Sequence, residues 1–161
     1  MTFESSSTES LEDSNQIIEA DERKEFLSIV IAGQLFGISV LQVQDVLGNY
    51  SVTKIPLAPP AVAGALNLRG RIVTSINVRE CLGLPPIKRK NNGISVVVEH
   101  EGELFSLMID SIGDVLSIKQ KYYEQNPATL DPVWRHISQG IYRLEDDLMV
   151  VLDVPKLLST I

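Results

Sequence analysis

Phe26-Leu27-Ser28-Ile29-Val30-Ile31-Ala32-Gly33-Gln34-Leu35-Phe36-Gly37-Ile38 is the stretch on which the fold turns. An apolar, β-branched run stops at a glycine and then resumes, which is how a β-hairpin reads. Gly33-Gln34 is the expected two-residue turn. The pattern recurs downstream. Ile94 to Glu99 and Leu104 to Ile109 flank a turn at Glu101-Gly102, and Ile137 to Leu144 and Leu148 to Leu152 flank Glu145-Asp146-Asp147. Ile72 to Val78 and Gly113 to Ile118 read as further strands. Between them the signal is weaker. Val40, Leu41, Val43, Val46 and Leu47 have helix-like or irregular spacing. Val52 to Ile55 reads as a short strand, and Ala61 to Ala65 as a helical turn or a tight connection pivoting at Gly64. Pro56 to Pro60 cannot be central strand, because proline has no N–H to donate. Arg79 to Gly83 reads as one helical turn, Tyr122 to Pro132 as a long connection, and Val154 to Ile161 as a short helix with Pro155 in its first turn. Many short strands with glycine turns and no βαβ alternation predict an all-β barrel or sandwich.

Length and composition set outer limits. The 161 residues suit one domain or two closely packed subdomains, burying roughly two-thirds of the unfolded surface. Apolar residues at 44% and charged ones at 22% are ordinary for a globular chain. Apolar runs such as Ile94 to Val98 fall far short of the ~20 residues that span a bilayer. Met1-Thr2-Phe3-Glu4 opens no secretion signal, and the single Cys81 can form no internal disulfide. A reducing cytoplasm is the expected setting. Residues 1–25 carry eight acids against Arg23 and Lys24, and with few apolar side chains they are expected to form a disordered acidic tail. A short docking helix over Leu11 to Ala20 is the alternative. Residues 26–161 hold thirteen acids and twelve bases, a near-neutral balance unlike that of a nucleic-acid binder.

No catalytic constellation appears. His100 and His136 lack metal-ligand spacing, and no Cys-x-x-Cys, His-Glu-x-x-His, Gly-x-Ser-x-Gly or phosphate-loop pattern is present. Cys81 reads as a small apolar residue. Glu99, Glu101 and Glu103, the pair Asp146-Asp147, and the basic run Lys88-Arg89-Lys90 read as wet loop charges. The expectation is no enzyme, no cofactor and no metal.

Gly64-Ala65-Leu66-Asn67-Leu68-Arg69-Gly70, set between a proline-rich loop and a strand, resembles the signature of the CheW domain. Val43-Gln44-Asp45-Val46 resembles the family's Val-x-Glu-Ile. Val52-Thr53-Lys54-Ile55-Pro56, with Pro59 and Gly64, resembles its Thr-x-Ile/Leu-Pro run. Asp110-Ser111-Ile112-Gly113-Asp114-Val115-Leu116 resembles Asp-x-Val-x-x-Val-Leu, and Leu148 to Leu158 the closing Leu-x-x-Leu-Asp-Val…Leu-Leu. The likeness runs in order from residue 26 to residue 160.

The resemblance implies two intertwined SH3-like five-stranded β-barrel subdomains with a short C-terminal helix. It implies a cytoplasmic adaptor without catalysis, recruited to receptor arrays, coupling a chemoreceptor's cytoplasmic tip to the histidine kinase CheA. Val43, Asp45, Val46 and Arg69 would face the receptor in a helix-in-groove contact, with the Arg69 guanidinium as a charged anchor. Ile112 and Val115 would lie beside the docked regulatory domain of CheA. Gly64, Asn67 and Gly70 would shape the turn, Asn67 capping backbone groups and Gly70 supplying permissive torsions. Neither nucleic acid nor direct membrane insertion is implied. From spacing alone Val43 and Val46 read equally as core, Ile112 and Val115 read as core sooner than interface, and Arg69 has the alternative of a turn residue paired with a local acid. The family's strand Ile-Pro-Val-Ile-Asp-Leu-Arg is here Val73-Thr74-Ser75-Ile76-Asn77-Val78-Arg79, and Asp45 stands for the usual glutamate. Those departures leave open a CheW-like barrel repurposed for another receptor and kinase. The chain reads as complete, ending at Ile161 without a fused receiver or kinase domain. An OB-like ligand-binding barrel would instead need Trp134, Tyr122 and Tyr123 exposed beside Lys119 and Lys121.

Overall fold

The computed structural model describes residues 22–48, 50–87 and 93–161. Strands β1 (Arg23–Ile31), β2 (Gln34–Ser39), β8 (Ser111–Lys119), β9 (Tyr123–Glu124), β10 (Ser138–Arg143) and β11 (Leu148–Leu152) form one sheet in the order β8-β1-β2-β11-β10-β9. Strands β3 (Val43–Gly48), β4 (Val62–Leu68), β5 (Arg71–Asn77), β6 (Ile94–His100) and β7 (Glu103–Ile109) form the other, ordered β3-β6-β7-β5-β4. Helices are short: α1 (Val78–Cys81), α2 (Pro132–His136), α3 (Val154–Leu158) and a 3-10 turn at Gln120–Tyr122. The chain starts in the first sheet, builds all of the second, and returns, so the two units are intertwined as expected. Among the described residues neither sheet is hydrogen-bonded shut; each curls until its edges approach. Only the 3-10 turn separates edge strands β8 and β9. In the second sheet Thr53 exchanges backbone hydrogen bonds with Ala65 of edge strand β4.

Alternation within the strands sorts side chains among three apolar clusters. On β11, Val150 and Leu152 enter the large core between the sheets, while Met149 and Val151 face the inside of the first sheet with Phe26, Ile118 and Tyr142. On β6, Val96 and Val98 enter the shared core, and Val97 turns into the second sheet with Val73 and Leu104. Each fully buried aliphatic side chain contributes roughly 1.5–3 kcal/mol, so the shared core dominates and joins both units into one domain.

Several local expectations are corrected. The first hairpin turns at Ala32-Gly33, with φ of 50° and 79°, and Gln34 already pairs with Ile31. A tight hairpin of this hand needs positive φ at both central residues, and the X-Gly dipeptide supplies it. Glu101-Gly102 and Arg69-Gly70 repeat the device. Residues 43–48 are strand rather than helix. Residues 62–68 are strand too, irregular at Gly64. There φ is 155° and a Cβ would collide with the Thr53 carbonyl, so only glycine permits the Thr53–Ala65 bridge. Val52 to Ile55 contributes only that bridge. The connection after Tyr122 holds β9, and α2 follows it. β1 begins at Arg23, inside the expected tail. Residues 1–21 of that tail, with its Leu11 to Ala20 helix, and the run Lys88-Arg89-Lys90 lie outside the described residues.

The Asn67 carboxamide accepts the Gly70 N–H at 2.9 Å, the expected turn cap. Asn67→Ala is expected to cost about 1 kcal/mol in urea unfolding, the worth of one such hydrogen bond. An unchanged midpoint would refute the cap.

Candidate functional site

The residues of Val43-Gln44-Asp45-Val46 are arranged by a β-bulge. Val43 pairs with Val98, Asp45 with Val97 and Val46 with Val96, so Gln44 is the extra residue. Simple alternation would send Val43 and Val46 to opposite faces. The bulge puts both on the face of Val96 and Val98, toward the shared core. Val43 packs against that core from its margin, and Val46 remains 40% exposed beside it.

β8 does the same. Val115 pairs with Leu27 and Ile112 with Ile29, so Gly113 and Asp114 stand against the single Ser28. Leu27 and Ile29 both point into the shared core, so Ile112 and Val115 share that face also. Ile112 packs against the core, whereas Val115 is 54% exposed on an edge strand. The Ser28 hydroxyl donates to the Asp114 carbonyl at 2.7 Å across this irregularity. The two candidate pairs thus have the same build, an inner residue anchored in the core and an outer one at its rim.

Asp45 points the other way, and its carboxylate Oδ2 lies 3.2 Å from Nη2 of Arg69. Its Oδ1 accepts the Val46 N–H at 2.8 Å. Arg69 occupies the left-handed first position of the β4–β5 turn, with φ of 52°. Its side chain is 81% exposed while that of Asp45 is 25% exposed. The pair bridges edge strand β3 and the β4–β5 turn. Leu68, Arg71 and Leu104 line a small open cavity of about 140 Å³ beside it. Such an exposed pair adds at most about 1 kcal/mol to stability, so Arg69 has charge to offer a partner. Gly64, Asn67 and Gly70 shape the strand and turn that carry it.

The departures from the family's pattern are absorbed. Asn77 caps α1 by accepting the Glu80 N–H at 3.3 Å, a task that Asp and Asn perform alike. Asp45, one methylene shorter than glutamate, still reaches Arg69. Thr74 sits within β5, opposite Ala65 and Phe105.

Other candidates resolve plainly. Trp134 packs edge-on against Phe36 with centroids 5.3 Å apart, against the shared core. Tyr122 and Tyr123 are exposed, with Lys121 over the Tyr122 ring, but without Trp134 no stacking platform forms. Cys81 packs against the shared core, and burial pushes its thiol pKa up, away from the reactive thiolate. Among the described residues no cluster of His, Cys, Asp or Glu could hold a metal ion, and no helix is long and apolar enough to cross a membrane.

Residues 25–161 match the family model described as CheW-like domain. The chain belongs to the CheW-like domain family. A chemotaxis protein CheW of Klebsiella aerogenes is 27% identical over 137 residues, covering 85% of this chain and 82% of its own length. The CheW of Helicobacter pylori is 27% identical over 139 residues, covering 86% and 84%. Among solved structures, the scaffolding protein TtCheW of Thermoanaerobacter tengcongensis superposes with a TM-score of 0.72 at 26% identity, covering 81% of this chain and 89% of that one. The CheW-like fold thus accounts for both sheets and their intertwining. Two features escaped sequence reading. One is the ion pair of Arg79 Nη2 and Asp110 Oδ2 at 2.6 Å, whose members sit in separate motifs. The other is Leu57, fully exposed at a positive φ and masked in sequence by the prolines around it.

Proposed function

We propose that this chain is a cytoplasmic chemotaxis scaffold without catalysis, coupling a chemoreceptor's cytoplasmic tip to the regulatory domain of CheA. The observation that carries this reading is the receptor-side constellation. Val43 and Val46 present an apolar rim at the margin of the inter-sheet core, and Arg69 stands exposed on the neighbouring turn, held by Asp45. An apolar helix face laid along that rim would bury Val46, and the guanidinium would grip a carboxylate or carbonyl at its edge. Ile112 and Val115 on β8 offer a second rim in the other sheet, proposed for the kinase domain. Two rims on different sheets allow both partners to be held at once, which is what a coupling scaffold requires.

Calorimetric titration with a receptor-tip fragment and with the regulatory domain of CheA, each alone and then together, tests this. Dissociation constants of about 1 μM, or roughly −8 kcal/mol, for both partners without competition are expected. Binding to neither would mark a CheW-like adaptor repurposed for another signalling pair.

A further inference from the structure

The inside of the first sheet opens to solvent through a cavity of about 440 Å³. Phe26, Tyr142 and Val151, buried members of the cluster on that face, form its floor. Leu41 lines it too, yet is 91% exposed and belongs to none of the three apolar clusters. Strand alternation puts Lys24 on the same face of β1 as Phe26, at the edge of this opening. An apolar cavity of about 150 Å³ accepts a benzene, so this one has room for two aliphatic side chains. Folding of the described residues thus leaves an apolar opening, with a leucine beside it that serves no core.

Glu22, the first described residue, lines the same cavity, and its carbonyl accepts the Gln120 N–H at 2.8 Å. Residues 1–21 therefore join the fold at the rim of this opening. They hold six acids and no lysine or arginine. Ile17-Ile18 is their one pair of adjacent large aliphatic side chains, and in water such a pair is unfavourable. Ile18 stands four positions before Glu22, a reach of at most about 14 Å. So short a tether holds the pair at an effective concentration on the order of millimolar, enough to populate a weak contact. The acids Glu19 and Asp21, which follow the pair, complement Lys24 at the rim. We infer that Ile17 and Ile18 fold back into the opening of the first sheet, against Phe26, Tyr142 and Val151 and beside Leu41. The contact closes that end of the sheet within one molecule. It does not depend on the coupling reading above.

NMR of the isotope-labelled full chain tests this. NOEs from the Ile17 and Ile18 methyl groups to the rings of Phe26 and Tyr142 are expected in the wild type. The double variant Ile17→Ser/Ile18→Ser should shift the amide resonances of Leu41, Gln139 and Val151 as the cavity empties, while Leu11→Ser should not. Leu41→Ser changes an exposed residue, so both sheets should persist. It is expected to speed amide exchange at Ile18 and Glu19 at least about tenfold, because the contact opens more often. Absence of the NOEs overturns the docking. So does unaltered exchange in Leu41→Ser, or a shift of the cavity resonances by Leu11→Ser alone. NOEs that arise only between differently labelled chains in a mixture overturn it as well, because the tail would then fill a second copy's cavity.

Discussion

Asp110→Ala is expected to destabilise the protein by about 3 kcal/mol, the cost of breaking a largely buried ion pair from one side. Asp110 sits between β7 and β8. Its carboxylate accepts Nε and Nη2 of Arg79 at 2.8 and 2.6 Å, and also the Ala32 N–H at 2.7 Å. Arg79 Nη1 donates in turn to the Pro85 carbonyl at 2.6 Å. The two side chains are only 19% and 14% exposed. One carboxylate therefore fastens the β1–β2 turn of the first sheet to helix α1, which leaves the second. The hydrogen bond to Asp110 raises the Arg79 pKa above its ordinary value; once that partner is removed the guanidinium still stays charged, because an arginine side chain does not deprotonate in a protein. Alanine would leave that charge and the Ala32 N–H poorly satisfied in a half-closed site. Arg79→Met should cost less, because it removes the charge and keeps apolar bulk. Urea unfolding checks both: the Asp110→Ala midpoint should fall with the slope unchanged. A loss below about 1 kcal/mol would show that the sheets are held by their shared core alone.

Arg69→Glu is expected to weaken receptor binding by about 1–3 kcal/mol, since it sets a carboxylate beside Asp45 where a cation faced the partner. Stability should change by no more than about 1 kcal/mol, because the native pair is exposed and screened. The turn itself depends on Gly70 and Asn67, which are untouched. Arg69→Asn separates charge from backbone, since asparagine tolerates the left-handed position that Arg69 occupies. It should fold at least as well and still lose affinity. Combining Asp45→Lys with Arg69→Glu restores an ion pair of reversed polarity. If the partner reads Arg69 itself, affinity stays low; recovery would mean that the pair merely holds β3 to the turn. Unchanged affinity in Arg69→Glu, measured by titration, would remove Arg69 from the interface while leaving family membership intact.

Much of this architecture was legible in the chain because its causes are local. Alternating apolar residues write a strand within six or seven positions, and an X-Gly pair writes a tight turn within two. Hence the hairpins of β1–β2 and β6–β7, the strands of β10–β11 around their acidic turn, and the cap of Asn67 on Gly70 follow from neighbours in sequence. Apart from the first turn, placed one residue too late, the misreadings fall where the cause is distant. Val43 and Val46, three positions apart, had helix-like or irregular spacing. The same spacing is produced by a bulge at Gln44 whose partner, β6, lies some fifty residues further on. On β8, correctly read as a strand, a like irregularity against β1 brings Ile112 and Val115 to one face. Ala61 to Ala65 read as a turn, since nothing nearby reveals that Gly64 must admit the Thr53 carbonyl. The sequence by itself determined most of the strands, several of their turns and the family. Only the tertiary structure decided which faces meet, that Asp45 and Arg69 pair, and that Asp110 binds Arg79. Backbone torsion and side-chain alternation are properties of neighbouring residues. Sheet register, bulges and ion pairs instead arise between segments that folding alone brings together.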